Sequence, residues 1–151
     1  MRSSRSFLQY ILMPTLAATL FACGTTDPAA TRNRMGAVID GVTWKATETE
    51  AAREGSTLQV EGSSAIGTTL RLTLKNDTVG TYPLGEGLHE GILVDEFTSW
   101  TAHGVQSGSV TITEIDGEHV TGYFGFRGKD TVGLQAEREV ASGTFDIDFS
   151  P

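Results

Sequence analysis

Thr69-Leu70-Arg71-Leu72-Thr73-Leu74-Lys75 alternates leucine with a polar side chain along its whole length. A period of two places the three leucines on one face and the polar set on the other, which predicts a strand with one buried face. Working outward, Phe145, Ile147 and Phe149 alternate in the same way with Thr144, Asp146 and Asp148. Val120, Phe124 and Phe126 do so again, with Gly122 in the missing inward place, and Leu58-x-Val60 and Val110-x-Ile112 are shorter versions. Turn chemistry separates these runs. Asp116-Gly117 lies between alternating segments near 107–115 and 119–127, and Asp-Gly suits a hairpin because glycine takes positive φ at little cost. Asp40-Gly41 joins a strand near 35–39 to one carrying Trp44, Asn76-Asp77 marks a third turn, and Gly128-Lys129-Asp130 a fourth. Glu48–Glu54 is rich in Ala and Glu but lacks an apolar stripe, so it reads as a loop or a single helical turn. The expectation is an all-β domain, an antiparallel sandwich or small closed barrel of about 7–9 short strands. Only a barrel with a cavity could hold a ligand inside.

The N-terminal end has a different character. Arg2 and Arg5 precede a mostly apolar run from Phe7 to Phe21, interrupted by Gln9, Pro14 and several Thr, which reads as an export signal over 1–22. Leu20-Phe21-Ala22-Cys23 resembles a bacterial lipoprotein signal, with cleavage between Ala22 and Cys23 and acylation of the Cys23 thiol. The alternatives are a plain secretory signal cleaved near Ala22 and a buried core Cys in an uncleaved chain. Several acyl chains at about 0.8 kcal/mol per buried methylene would make the anchoring effectively permanent. Residues 23–34 then form the lipidated Cys and a polar tether, and 35–151 the β domain. The 11 tether residues after Cys23 reach at most about 40 Å. Gly24 stands where some lipoproteins carry an inner-membrane-retaining Asp, so the expected location is the cell envelope, and the outer membrane in a Gram-negative host.

Charge and cysteine content exclude several classes of function. The 151 residues carry a net charge of −8. Without residues 1–22, the chain keeps 9 basic and 19 acidic side chains, a net −10. Such an acidic domain is unsuited to nucleic acid and to anionic headgroups. A single Cys excludes an internal disulfide, a thiolate zinc cage and an iron–sulfur cluster. No cofactor and no metal site is expected.

Chemistry-bearing residues are sparse. Glu86, His89 and Glu90 offer metal donors within Gly85–Gly91, and Asp95 and Glu96 could add oxygens, but the flanking glycines favour a polar loop. His89, His103 and His119 are the only histidines, and none belongs to a nucleophile motif, so a non-enzymatic protein is expected. Asp146 and Asp148 share a strand face and read as solvated charges. Among the polar-tipped aromatics Trp44, Tyr82, Trp100 and Tyr123, Trp44 reads as a core plug. In Phe97–His103, Phe97 and Trp100 lie on opposite strand faces, so one of them should be exposed if the sheet is covered on one side. Trp100, Phe97, Tyr82 and His103 are therefore the candidate ligand or partner contacts.

Five blocks, Ala37–Ala46, Gly80–Leu84, Gly108–Thr113, Val120–Phe126 and Ser142–Ile147, resemble in order a family of small bacterial lipoproteins known as domain of unknown function 6252. The resemblance implies an envelope lipoprotein with a β-rich, lipocalin-like fold and no known activity. The family pattern has Asn where this chain has Ser142. The expected function is a lipid-anchored binding domain for a small hydrophobic ligand, a glycan or an envelope protein. Its alternatives are an assembly accessory working through protein contacts, including strand addition at a sheet edge, and, behind both, an envelope hydrolase using acids such as Glu86 or Asp95.

Overall fold

The computed structural model describes residues 32–85, 87–105 and 107–150. The expected signal peptide, the cleavage site Ala22–Cys23 and most of the tether lie outside the described residues, as does Glu86.

Among the described residues, eleven strands form one antiparallel sheet: β1 (Arg34–Ile39), β2 (Val42–Lys45), β3 (Glu48–Glu54), β4 (Thr57–Ser63), β5 (Thr69–Leu74), β6 (Gly80–Leu84), β7 (Glu90–Asp95), β8 (Thr98–Ala102), β9 (Gly108–Ile115), β10 (His119–Asp130) and β11 (Arg138–Asp148). The main path runs β2-β1-β11-β10-β8-β7-β5-β4-β3, and β6 and β9 branch from β10. The branch arises because β10 is long enough to serve two neighbours on one side. It pairs with β9 over Val120–Phe126 and with β8 over Gly128–Asp130. The sheet curls into a half-barrel until β3 meets the end of β11, where the Ser150 N–H donates to the Ala51 carbonyl at 3.1 Å.

The inner face carries the core that the alternation predicts. Leu58, Val60, Leu70, Leu72, Leu74, Val110, Ile112, Val120, Phe124, Phe126, Phe145 and Ile147 are all buried, and Trp44 joins them as the expected plug. Gly122 is not merely a gap in this pattern. A Cβ there would collide with the Thr111 carbonyl and the Phe145 ring, so glycine makes room for that phenylalanine.

Both Asp-Gly turns close hairpins as read, β1–β2 and β9–β10. Three local readings are corrected. Glu48–Glu54 is a full strand. Its backbone pairs with β4 at every residue from Glu48 to Glu54, and burial of Ala51 is enough to set its face, so tertiary pairing overrides an Ala/Glu composition that suits helices. Gly128-Lys129-Asp130 is not a turn but the end of β10. Gly128 faces inward, where a Cβ would lie 2.8 Å from that of Trp100, so glycine is needed for close approach rather than for chain reversal. Asp146 and Asp148 are not simply solvated. Asp146 accepts from His119 Nε2 at 2.7 Å and pairs with Arg34 at 3.2 Å, while Asp148 pairs with Arg32 at 3.2 Å.

Candidate functional site

Four connections meet at the end of the half-barrel where β1 finishes, opposite the end where the described chain begins. They are the β1–β2 turn, the β4–β5 turn, the β7–β8 turn and the β10–β11 loop. On or directly beside each stands an apolar side chain exposed to solvent: Val42 at the start of β2, Ile66, Phe97, and both Val132 and Leu134.

The β7–β8 turn settles which ring of Phe97–His103 is exposed. Glu96 takes φ 51° at the reversal, and Phe97 beside it is 100% exposed. Trp100, three residues on, pairs with Leu93 and faces inward at 6% exposure. Its indole N–H donates to the Ala136 carbonyl at 2.9 Å, and the Arg138 guanidinium lies 5.0 Å from its ring centroid. The buried indole thus fastens the β10–β11 loop from below while Phe97 projects above.

Within that loop one carboxylate serves three backbone donors. Asp130 accepts from the backbone N–H groups of Val132, Leu134 and Gln135 at 3.0, 2.8 and 2.8 Å. The bond from Val132 leads in holding its pKa below the usual carboxylate range. These N–H groups have partners without a sheet neighbour, so covering the loop would strand none of the three donors. Arg138 ties the other turns together by bonding the Asp40 carboxylate and reaching Asp95 at 3.5 Å, and Thr68 donates to Asp95 at 3.2 Å. The apolar tips therefore sit on a cross-linked frame.

The remaining candidates lie elsewhere. Tyr82 is buried, its hydroxyl donating to the Thr78 carbonyl at 2.7 Å and its ring 5.2 Å from that of His89. His103 is exposed and shares with His89, Lys75, Leu88 and Thr101 a cleft of about 370 Å³ at the fork between β8 and the β6–β9 branch. His89 Nδ1 accepts the Lys75 backbone N–H at 3.2 Å, which puts the neutral ring's proton on Nε2 and leaves no lone pair for a metal. Burial lowers its pKa, favouring that neutral form. Of the four contact candidates, Phe97 and Trp100 belong to the apolar end, Trp100 as its buried support, whereas Tyr82 and His103 do not.

Sequence reasoning passed over Ile66, Val132 and Leu134. Their signal was the presence of large apolar side chains inside Gly- and Ser-containing turns rather than in the alternating runs. Glu114, Asp116 and His119 also converge, with potential ligand atoms within 4.8 Å. Asp116 Oδ1 is already engaged by the Glu118 and His119 N–H groups, both at 2.8 Å, so that carboxylate builds the hairpin turn.

Neither a search of curated proteins nor one of solved structures finds a match to this chain. The match to a family model covers residues 32–147, nearly the whole described domain, and its description is "Domain of unknown function (DUF6252)". The chain belongs to the DUF6252 family.

Proposed function

We propose that this protein is a lipid-anchored, non-enzymatic envelope domain that docks on another envelope protein through its apolar end. The observation that carries the reading is the fully exposed Phe97, set among Ile66, Val132 and Leu134 on turns joined by Asp95, Asp130 and Arg138. Large apolar side chains gathered on a rigid polar frame are typical of contact surfaces. The inner face is packed with leucine and phenylalanine, which supports an external partner over a small hydrophobic molecule held inside. Strand addition has little support. β3 presents Glu48, Glu50 and Glu54 at one edge, and Pro83 interrupts the donors of β6. An anchor on Cys23 would enter at the opposite end and leave Phe97 facing away from its own membrane. The acidity of the domain favours a protein over an anionic bilayer as the occupant of this end.

The test places a photo-crosslinking residue at position 97 of the full-length chain in its host, with one at exposed Gln59 as reference. The expected result is one discrete envelope-protein adduct from position 97, absent from 59 and lost in Leu134→Asp. Adducts with lipid alone, or equal adducts from both positions, would refute the docking. Labelled acyl chains should enter wild type and not Cys23→Ala; equal labelling would refute the anchor.

A further inference from the structure

A second surface lies on the outer face of the sheet, remote from the apolar loops, and its centre is Tyr123. Register places Thr81, Thr111, Tyr123, Thr144, Gly36 and Lys45 in one row across β6, β9, β10, β11, β1 and β2. Directly paired residues share a face, so hydroxyl side chains flank the tyrosine on both neighbouring strands. Tyr123 is 54% exposed in the middle of a sheet, where large aromatics are normally covered. Two open grooves border it. One, of about 450 Å³, has a floor of Gly108, Gly125 and Gly143 and a wall of Ser109 and Thr144. The other, of about 410 Å³, is lined by Thr113, Thr121, Thr144, Arg34 and Asp146. Tyr123 and Thr144 line both.

The chemistry of this face is narrow. Its centre carries no charge, and the charges nearest that centre are already paired, Arg34 with Asp146 at 3.2 Å and Arg127 with Glu139 at 3.4 Å. Thr81 bonds Thr111 at 2.9 Å and Thr113 bonds Thr121 at 2.8 Å. Each pair uses one hydroxyl proton and leaves the other, with spare lone pairs, for a ligand. Beside Tyr123 an anion would find no free cation, since Lys45 stands three strands away on β2, and an apolar ligand would find a single ring among hydroxyls. A neutral sugar matches both features, because a pyranose offers a C–H face for stacking on an aromatic ring and a rim of hydroxyls. The strands that carry these groups are paired on both sides, apart from edge strand β6, so the site is ordered before ligand arrives.

We infer that the Tyr123 face binds a neutral hexopyranose oligosaccharide, with one sugar ring stacked on Tyr123 and its hydroxyls bonded to Thr111, Thr121 and Thr144. This reading is independent of the apolar end, so either can fail without the other.

The full-length protein, purified in a zwitterionic detergent free of sugar headgroups, is titrated with cellotetraose and with chitotetraose. The expected dissociation constant is about 0.1–1 mM for at least one of them, as suits a shallow site. Tyr123→Ala should weaken binding at least about tenfold, Tyr123→Phe should stay within about threefold because the ring carries the stacking, and Phe97→Asp should bind as wild type. Thr144→Arg, on an exposed strand position, blocks both grooves and should abolish binding with the tyrosine itself left in place. Preference for chitotetraose would assign an N-acetylated glycan, and preference for cellotetraose an unsubstituted one. Failure of the wild-type protein to bind either sugar at about 10 mM would overturn the assignment. So would binding that survives both Tyr123→Ala and Thr144→Arg, or that is lost in Phe97→Asp.

Discussion

Replacing Gly122 by alanine tests how tightly the half-barrel closes on its core. Gly122 faces inward on β10, opposite Ile112 on β9 and Phe145 on β11. A Cβ there would overlap the Thr111 carbonyl, which belongs to the sheet, and the Phe145 ring, whose centroid lies 6.3 Å from that of Phe124. Neither neighbour can retreat without moving a strand or repacking a second ring. Overpacking of this kind costs about 1–3 kcal/mol, and the collision with backbone puts this case at the upper end. The stiffer unfolded chain returns about 0.4–1 kcal/mol, so the net loss is about 2 kcal/mol. For a domain of this size that lowers the melting temperature by roughly 8 °C. Gly36→Ala is the matched reference. It lies on the outer face, its Cβ would sit 3.4 Å from the Trp44 carbonyl, and its expected change is within about 1 kcal/mol. Adding Phe145→Leu to Gly122→Ala should cost less than Phe145→Leu costs alone, because the ring collision is removed in both. Urea and thermal unfolding measure wild type and all four variants. Wild-type stability in Gly122→Ala, or equal losses at Gly122 and Gly36, would refute the packing argument.

Two further predictions concern backbone strain and protonation. Ser142 sits at φ 51° where β11 bulges, a conformation that costs an ordinary side chain about 1 kcal/mol and that Asn adopts more readily, so Ser142→Asn should stabilise the fold by about 0.5 kcal/mol; an unchanged urea midpoint would count against strain there. His89 is held neutral in the folded state and its pKa is lowered by burial, so the unfolded chain takes up the proton first as pH falls. Its contribution to stability is complete above the unfolded value near 6.5 and declines as pH drops from there toward the lower folded value. Wild type should lose stability more steeply in that window than His89→Gln, and parallel profiles would show that His89 is not the group responsible.

Much of the fold was legible because a sheet with one covered face imposes a period of two on its strands. Leu70, Leu72, Leu74, Phe145 and Ile147 are buried where the alternation puts them, and the two Asp-Gly pairs close hairpins through local chemistry, positive φ at Asp40 and Gly41 in the first and the Asp116 carboxylate accepting the Glu118 and His119 N–H groups in the second. β3 was hidden because its strand state comes from pairing with β4 rather than from its own side chains. β7 was hidden too, since Ile92, Leu93 and Val94 show no alternation.

The surfaces were less legible than the core. That Phe97 and Trp100 face opposite ways, that the domain is acidic, and that its buried face is aliphatic and aromatic could all be read from the order of residues. It took the folded sheet to turn Trp100 inward beneath Ala136 and Arg138 and leave Phe97 in solvent. That sheet also brought Ile66 and Leu134 to the same end as Phe97, and set Thr111, Tyr123 and Thr144 side by side. Alternation is a property of one strand, readable from neighbours in the chain. A surface is assembled from strands far apart in sequence, and its composition exists only once register and curl are fixed.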